Sequence, residues 1–242
     1  MNSTLCLDFG NTRQKLAFFS DGELVEQGVL HDDVHALEAL IDRLQPRYSI
    51  LSSVVNHPPA VEALLAARTR FHLLSNTSKL PFTTPVGKPS TIGADRLAIC
   101  AAAVNLFPGK NNLAIALGTC ITYNFINYRN EFLGGGISPG MDMRFKSLRD
   151  YTAKLPLVEE DWNFPLVGYD TETNITSGVI LGMAKEIDGF VDAYAERYDN
   201  FNVLLTGGNS GYFVPHLKNR IFADQDLIFK GLYAISKHNQ TA

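Results

Sequence analysis

Short apolar runs recur along this chain, and each is bounded by glycine, proline or acidic residues that favour turns. Such runs predict buried strands, whereas apolar residues spaced three and four apart predict the helices between them. The predicted strands are 4–9, 15–20, 23–29, 48–55, 71–74, 112–117, 121–128, 132–135 and 201–205. The predicted helices run from Asp32 or Asp33 to 44, from Pro58 or Pro59 to 68, and over 93–105, 141–151, 172–198 and 227–238. This alternation predicts an α/β fold.

The first three strands of each half form a similar meander, which indicates an internal repeat. Adding 108 to a position in the first meander aligns Gly10 with Gly118 and Asp8 with Ala116. Two repeats of about 110 residues are too long for a solenoid and favour a duplicated domain with a cleft. We therefore predict domains at 1–108 and 109–242.

Composition and charge narrow the possible partners. The 242 residues carry a formal charge of −4 with scattered basic residues, which argues against nucleic acid or an anionic membrane as a partner. The longest apolar stretch, 97–107, is too short to span a bilayer. Met1 leads directly into a predicted strand without a signal-peptide pattern, so we expect a cytoplasmic protein. Cys6, Cys100 and Cys120 lack metal-ligand spacing and are expected to be reduced thiols.

The segment Asp8-Phe9-Gly10-Asn11-Thr12 closes the first predicted strand and is the first candidate site. A glycine turn of this kind aims N–H groups and a hydroxyl at one place, which suits an anion. The Asp8 carboxylate would repel a phosphate unless a cation lay between them, so the segment suggests a metal–nucleotide site. An ordinary turn is the alternative, but similar turns recur at Gly118-Thr119 and Thr206-Gly207-Gly208.

Gly93-Ala94-Asp95-Arg96 is the second candidate site. It follows a proline-rich loop over 76–92 and opens a helix whose body is apolar. A carboxylate and a guanidinium at a helix start are often surface charges. Where a long loop meets the core, however, they could form a positioned base and an anion clamp.

Five motifs together resemble those of the type III pantothenate kinases, in order and in spacing. They are Asp8-x-Gly-Asn-Thr, Pro89-x-x-x-Gly93-x-Asp95-Arg96, Gly118-Thr119-x-x-Thr122, Gly135-Gly136-x-x-Pro139-Gly140 and Thr206-Gly207-Gly208. That family belongs to the acetate-kinase/sugar-kinase/Hsp70/actin superfamily. The resemblance implies duplicated ribonuclease-H-like (actin-like ATPase) domains with a nucleotide cleft between them, in a homodimer. It also implies ATP- and Mg²⁺-dependent phosphorylation of pantothenate to 4'-phosphopantothenate, the first step of coenzyme A biosynthesis.

The resemblance assigns roles to individual residues. Asp95 matches the general base, Asp8 a residue that holds Mg²⁺ directly or through water, and Thr171 a substrate contact. The segment that matches the pantothenate site comprises Gly93, Ala94, Asp95 and Arg96. The residues that match the ATP site are Asp8, Phe9, Gly10, Asn11, Thr12, Arg13, Gln14, Lys15 and Thr119.

Three positions depart from the family pattern. Ala116 replaces an aspartate that binds a monovalent cation (K⁺ or NH₄⁺), so we expect that ion to be absent here or bound by other oxygens. Val86 replaces a tyrosine on the substrate side, and Asn124 replaces a frequent aspartate. These losses leave open a catalytically weakened relative that binds nucleotide or pantothenate as a regulator. A different small-molecule kinase of the superfamily is disfavoured by Asp95-Arg96.

Overall fold

A computed structural model describes residues 2–30, 34–85 and 87–240. The chain divides into two compact units. The first unit contains 1–109, 129–133 and 226–242, and the second contains 110–128 and 134–225. Asp32, Asp33 and Val86, on which a predicted helix cap and a predicted substrate-side change depend, lie outside the described residues.

The first unit is built on a five-stranded mixed sheet. Its strands are β1 (Ser3–Phe9), β2 (Gln14–Ser20), β3 (Glu23–Leu30), β4 (Tyr48–Ser53) and β5 (Arg70–Leu73), in the order β3-β2-β1-β4-β5. Strand β1 runs antiparallel to β2 and parallel to β4. The helices are α1 (Val34–Leu44), α2 (Pro59–Arg68), α3 (Ala94–Leu106) and α7 (Leu227–Gln240). Alternate apolar residues of β1 and the inner faces of α1 and α2 form one buried cluster.

Helices α3 and α7 pack unusually closely, which the small residues of α3 permit. The body of α3 is alanine-rich and buried. A Cβ on Gly231 of α7 would lie 1.8 Å from the Ala98 carbonyl oxygen. This contact requires glycine, and it ties α7 to the helix that begins at the Gly93 segment.

The second unit repeats the strand order of the first. Its strands are β6 (Asn111–Leu117), β7 (Cys120–Ile126), β8 (Phe132–Pro139), β9 (Phe201–Gly207) and β10 (Phe222–Ala223), in the order β10-β9-β6-β7-β8. Strand β6 runs antiparallel to β7 and parallel to β9, as β1 does with β2 and β4. The helices are α4 (Met141–Asp150), α5 (Thr171–Ala195) and the short α6 (Ser210–Phe213). The predicted duplicated α/β fold is therefore confirmed.

Strand β8 shows where the sequence prediction was too short. The strand was predicted to end at 135, but it continues through the glycines to Pro139. Glycines give no alternating pattern, and a Cβ on Gly135 would lie 1.8 Å from the Tyr123 carbonyl oxygen. The glycine run therefore allows close backbone approach inside the sheet rather than ending it. The short elements α6 and β10 were not predicted.

The predicted domain division between 108 and 109 stays a prediction. Helix α7 falls in the predicted second domain, 109–242, but packs on β1 and β4 of the first unit. Among the described residues, no helix combines the length and apolar character needed to cross a membrane.

Candidate active site

The first turn, residues 10–13, joins β1 to β2 beside Asp8. Asp8 is paired with Lys15 on β2 and with Ser52 on β4, so two neighbouring strands flank the carboxylate. The Gly10 amide donates to the Arg13 carbonyl over 3.1 Å and closes the turn. Asn11, Thr12 and Arg13 are exposed, whereas Phe9 is buried and Gln14 is half-buried. The turn is thus rigid at its base and accessible at its tip.

The pKa of Asp8 is strongly shifted by its surroundings. Burial raises the pKa of Asp8 most, and the nearby Asp95 carboxylate raises it further. Lys15 and a 3.3 Å hydrogen bond from the Ser52 hydroxyl act in the opposite direction. The result is a pKa raised from 3.8 to about 6. The first unit therefore brings together the two acids that the sequence singled out.

Asp95 lies at the start of α3, which Gly93 precedes as the N-cap residue. Its Oδ1 accepts a 2.8 Å hydrogen bond from the Arg96 amide. A Cβ on Gly93 would lie 2.5 Å from that oxygen, so glycine leaves the room in which the carboxylate sits. Asp95 is consequently held over the positive end of a 13-residue helix.

Arg96 is half-buried, and its guanidinium carbon lies 5.6 Å from the centre of the Phe132 ring. This cation–π contact supports the Arg96 side chain. Ala94 is half-buried beside it. Ser52 was missed by the sequence analysis, although it lies next to the carboxyl end of β4, which runs parallel to β1, and polar residues commonly form sites at such ends.

The second turn, Gly118–Thr119, occupies the equivalent place between β6 and β7. Both residues are exposed, and the Gly118 amide donates to the Cys120 carbonyl over 3.0 Å. The Gly140 amide donates to the Thr119 carbonyl over 3.0 Å. A Cβ on Gly140 would lie 2.2 Å from the Gly118 carbonyl oxygen, so the start of α4 is packed directly on this turn.

Ala116 takes the place in β6 that Asp8 takes in β1. Its strand partners are Thr122 on β7 and Thr206 on β9, both of which are buried. The Asn124 amide donates to the Thr122 hydroxyl over 3.1 Å. The position is therefore surrounded by neutral hydroxyl groups. The Gly207 turn that follows is also tight, since a Cβ there would lie 2.0 Å from the Leu117 carbonyl oxygen.

Thr171, the first residue of α5, is exposed at the rim of a cavity of about 690 Å³ in the second unit. The cavity lies between α4 and α5, and Arg144 and Asn174 supply polar groups to its lining. Arg144 and Asn174 were not singled out from the sequence, because each lies on a helix face that resembles a solvated surface. The predicted site residues thus divide into Asp8–Lys15 with Gly93–Arg96 in the first unit, and Thr119 with Thr171 in the second.

Solved structures with the same fold define the class. A Campylobacter jejuni protein provisionally assigned to the Baf family of transcriptional activators matches with a TM-score of 0.66 at 19% identity, covering 98% of this chain and 100% of that one. A ROK family glucokinase from Streptomyces griseus, solved with glucose and AMPPNP, matches with a TM-score of 0.57 at 10% identity, covering 99% and 100%. At these identities the likeness shows only the fold, which is that of the actin-like sugar kinases.

Sequence comparison identifies the family. The family model for type III pantothenate kinase matches residues 4–193. The type III pantothenate kinase of Cytophaga hutchinsonii is 41% identical over 97% of this chain and 99% of its own length. That of Christiangramia forsetii is 40% identical over 98% and 99%. The chain belongs to the type III pantothenate kinase family, whose members phosphorylate pantothenate in coenzyme A biosynthesis. The predicted resemblance is confirmed, and these relatives give no support to a purely regulatory role.

Proposed function

We propose that this chain transfers the γ-phosphoryl group of ATP to the primary hydroxyl of pantothenate, with Asp95 as general base. Asp95 accepts the hydroxyl proton while the hydroxyl oxygen bonds to the γ-phosphorus. The bond from that phosphorus to the departing ADP oxygen breaks, giving 4'-phosphopantothenate. The observation that carries this proposal is the approach of Asp95 to Asp8, because a base beside a cation-binding carboxylate is what phosphoryl transfer needs.

Asp8 is the residue that would hold Mg²⁺, directly or through water. Mg²⁺ usually binds one or two carboxylates together with substrate phosphates. This mode suits the described part of the chain, where no group of three or more His, Cys, Asp and Glu side chains could hold a metal ion. A divalent cation would also relieve the repulsion that raises the pKa of Asp8. Bound Mg²⁺ would neutralise charge on the transferring phosphate.

The nucleotide contacts are assigned to both turns. Residues 8–15 would offer the amides and side chains of the first turn to the phosphates, and Lys15, paired with Asp8 across the two strands, would add a positive group. Thr119, exposed on the second turn, offers an amide and a hydroxyl. Such preorganised donors stabilise phosphate oxygens without reorganising during the reaction.

Pantothenate is assigned to the Gly93–Arg96 segment and to Thr171. The Arg96 guanidinium suits the pantothenate carboxylate because its planar fork donates two parallel hydrogen bonds. Its guanidinium also packs on the Phe132 ring, which supports the side chain. Thr171 contributes a hydroxyl at the rim of the α4–α5 cavity.

We further infer a cytoplasmic homodimer in which the family's monovalent-cation site is weak. The Ala116 side chain has no ligating atom, and the hydroxyls of its strand partners Thr122 and Thr206 carry no charge. A potassium or ammonium ion would thus lack the carboxylate that normally strengthens its binding.

Asp95→Asn tests the assignment of the base. We expect kcat to fall about 10²–10⁴-fold, because a general base contributes that much. Turnover is measured as ADP release with pantothenate and ATP. Asp42→Asn is the matched control, since it removes a carboxylate that pairs with Arg68 elsewhere in the first unit. Near-normal turnover of Asp95→Asn with unchanged ATP affinity would falsify this role.

Arg96→Lys tests the substrate assignment. One ammonium group cannot reproduce the two-pronged contact, so the KM for pantothenate should rise about 10-fold or more while the KM for ATP changes little. A crystal structure with pantothenate provides the second measurement. A carboxylate bound far from Arg96 would contradict the proposal.

A further inference from the structure

A polar cluster outside the assigned ATP and pantothenate residues is centred on Glu186 of α5. The Glu186 cluster comprises Tyr123 on β7, Ser138 on β8, Arg144 on α4 and Glu186. The Tyr123 hydroxyl donates to Glu186 Oε1 over 3.0 Å, and the Ser138 hydroxyl donates to the same oxygen. The Arg144 guanidinium pairs with Oε2. One carboxylate thus joins two strands and two helices of the second unit.

The carboxylate of this cluster is charged and shielded. The Arg144 and Glu186 side chains are only 22% and 23% exposed. Burial alone would raise the pKa of Glu186, but hydrogen bonds from Ser138, Arg144 and Tyr123 hold it below its ordinary value. A shielded carboxylate with three donors fixes the geometry of its partners more strongly than an exposed ion pair does.

The cluster is connected to the second turn through three consecutive residues. Ser138 bonds Glu186 directly, and Arg144 Nε donates to the Pro139 carbonyl over 2.8 Å. The next residue, Gly140, donates its amide to the Thr119 carbonyl and packs against the turn without room for a Cβ. A shift of residues 138–140 must therefore move Thr119.

We propose that Glu186 is a positioning residue for the second turn. It holds Ser138 and Arg144 so that residues 138–140 keep the Thr119 amide and hydroxyl where the ATP phosphates meet them. The consequence for ATP rests on the proposed function of Thr119, whereas the consequence for the turn itself does not. The two are therefore tested separately.

Hydrogen exchange tests the positioning without any ligand. Glu186→Gln keeps the side-chain shape but removes the charge, so the Gly118 and Gly140 amides should exchange about 10-fold faster. Asp192→Asn is the matched control, since Asp192 lies on the same helix as Glu186 and the change breaks its ion pair with Lys218. The control should leave both amides unchanged. Unchanged exchange in Glu186→Gln would overturn the inference.

Steady-state kinetics then test the consequence for ATP. We expect Glu186→Gln to raise the KM for ATP about 10-fold. In a Thr119→Ala background the same substitution should have a clearly smaller effect on the KM for ATP, because the two residues act together. If Glu186→Gln raised the KM for ATP as much in the Thr119→Ala protein as in the unmodified protein, the inference would be overturned.

The failures can be told apart. If exchange accelerates but neither Glu186→Gln nor Thr119→Ala changes the KM for ATP, the proposed nucleotide role of Thr119 is wrong and the positioning role stands. If Thr119→Ala raises the KM and Glu186→Gln does not, the positioning inference is wrong. Should Glu186→Gln fail to fold, Ser138→Ala removes one contact while keeping the ion pair. It should then accelerate exchange at Gly140, and unchanged exchange would overturn the inference.

Discussion

The first and second turns occupy equivalent places in two sheets of the same strand order, yet they are built from different chemistry. The first turn lies beside Asp8, whose strand partners Lys15 and Ser52 include a charge and a hydroxyl. The second turn lies beside Ala116, whose strand partners are two threonines. Around Gly10 there is room, since a Cβ there would make only an ordinary 3.5 Å contact. The equivalent Gly118 has similar room, since a Cβ there would lie 3.7 Å from the Cys120 carbonyl oxygen, but Gly140 packs on the second turn with no room for a Cβ.

In the proposed function, this difference gives the two halves different roles. The first half retains the charged groups that suit a cation and a proton acceptor, and it tolerates their mutual repulsion. The second half has no carboxylate at the equivalent strand position and instead fixes its turn by backbone contact, with the Glu186 cluster behind it. Strand order is shared because it follows from the apolar core, whereas site chemistry depends on a few polar positions that can change independently.

Asp8→Asn should have the largest effect, because it removes the charge that distinguishes the first turn. A metal ion supplies several kcal/mol of transition-state stabilisation, so we expect turnover to fall about 10³-fold. Excess Mg²⁺ should restore it only partly. Thr119→Ala in the second turn should reduce turnover only about 2–10-fold, as expected for the loss of a neutral hydrogen bond. Turnover measured across a Mg²⁺ titration checks both, and an unchanged Mg²⁺ dependence in Asp8→Asn would refute its metal role.

Gly140→Ala should have the next largest effect, and it tests the packing of the second turn. The added methyl group would clash with the Gly118 and Thr119 carbonyl oxygens, so we expect unfolding free energy to fall by about 1–3 kcal/mol. Gly10→Ala is the comparison in the first turn and should be nearly neutral, since it meets ordinary contacts, as would a Cβ at the equivalent Gly118. Urea unfolding at 25 °C measures both variants. Equal losses would show that the turns do not differ in packing.

Much of the fold could be predicted because apolar runs and glycine turns determine it locally. The repeat at an offset of 108 correctly aligned β1 with β6 and the two turns with each other. The glycine-rich end of β8 was missed because residues without side chains leave no alternating pattern. The elements α6 and β10 were missed because four and two residues are too short for any periodicity.

The candidate site was predictable only where one short segment carries the chemistry. Asp8 and the Gly93–Arg96 segment could be singled out because a turn motif or a helix start surrounds each of them. Ser52 reaches Asp8 through the parallel register of β1 and β4, which local sequence does not specify. Glu186 and Arg144 resemble solvent-facing charges on their helices, and only tertiary packing turns them toward each other.

The stability of the metal-free protein should depend on pH through Asp8. Folding raises the pKa of this carboxyl from 3.8 to about 6, so the folded protein loses stability as the pH rises between those values and the group ionises. Asp8→Asn lacks this penalty. Its free energy of unfolding should therefore equal that of the unmodified protein near pH 4. Above pH 7 it should be higher by about 1–2 kcal/mol, after allowance for partial exposure of Asp8. Thermal or urea unfolding across this pH range measures the difference. Equal stabilities above pH 7 would show that the folded protein does not destabilise the charged form of Asp8.

Ala116→Asp should have the smallest effect on turnover without potassium, and it compares the two turns most directly. It restores to the second turn the carboxylate that the first turn has. The new side chain would lie between the buried Thr122 and Thr206, so without a cation it should reduce stability, because a shielded charge needs a partner.

The response to potassium should distinguish the unmodified enzyme from Ala116→Asp. A weakly held monovalent ion gains most from a charged oxygen, so the unmodified enzyme should vary less than about twofold in activity when potassium replaces a bulky organic cation at fixed ionic strength. Ala116→Asp should acquire a potassium dependence in both activity and unfolding temperature, since the ion would neutralise the new charge. Ala116→Asn is the matched control, because it adds similar volume without charge and should not respond. Strong potassium activation of the unmodified enzyme would show that the threonine hydroxyls and nearby carbonyls already form the site, and that the loss of one carboxylate does not separate the two turns.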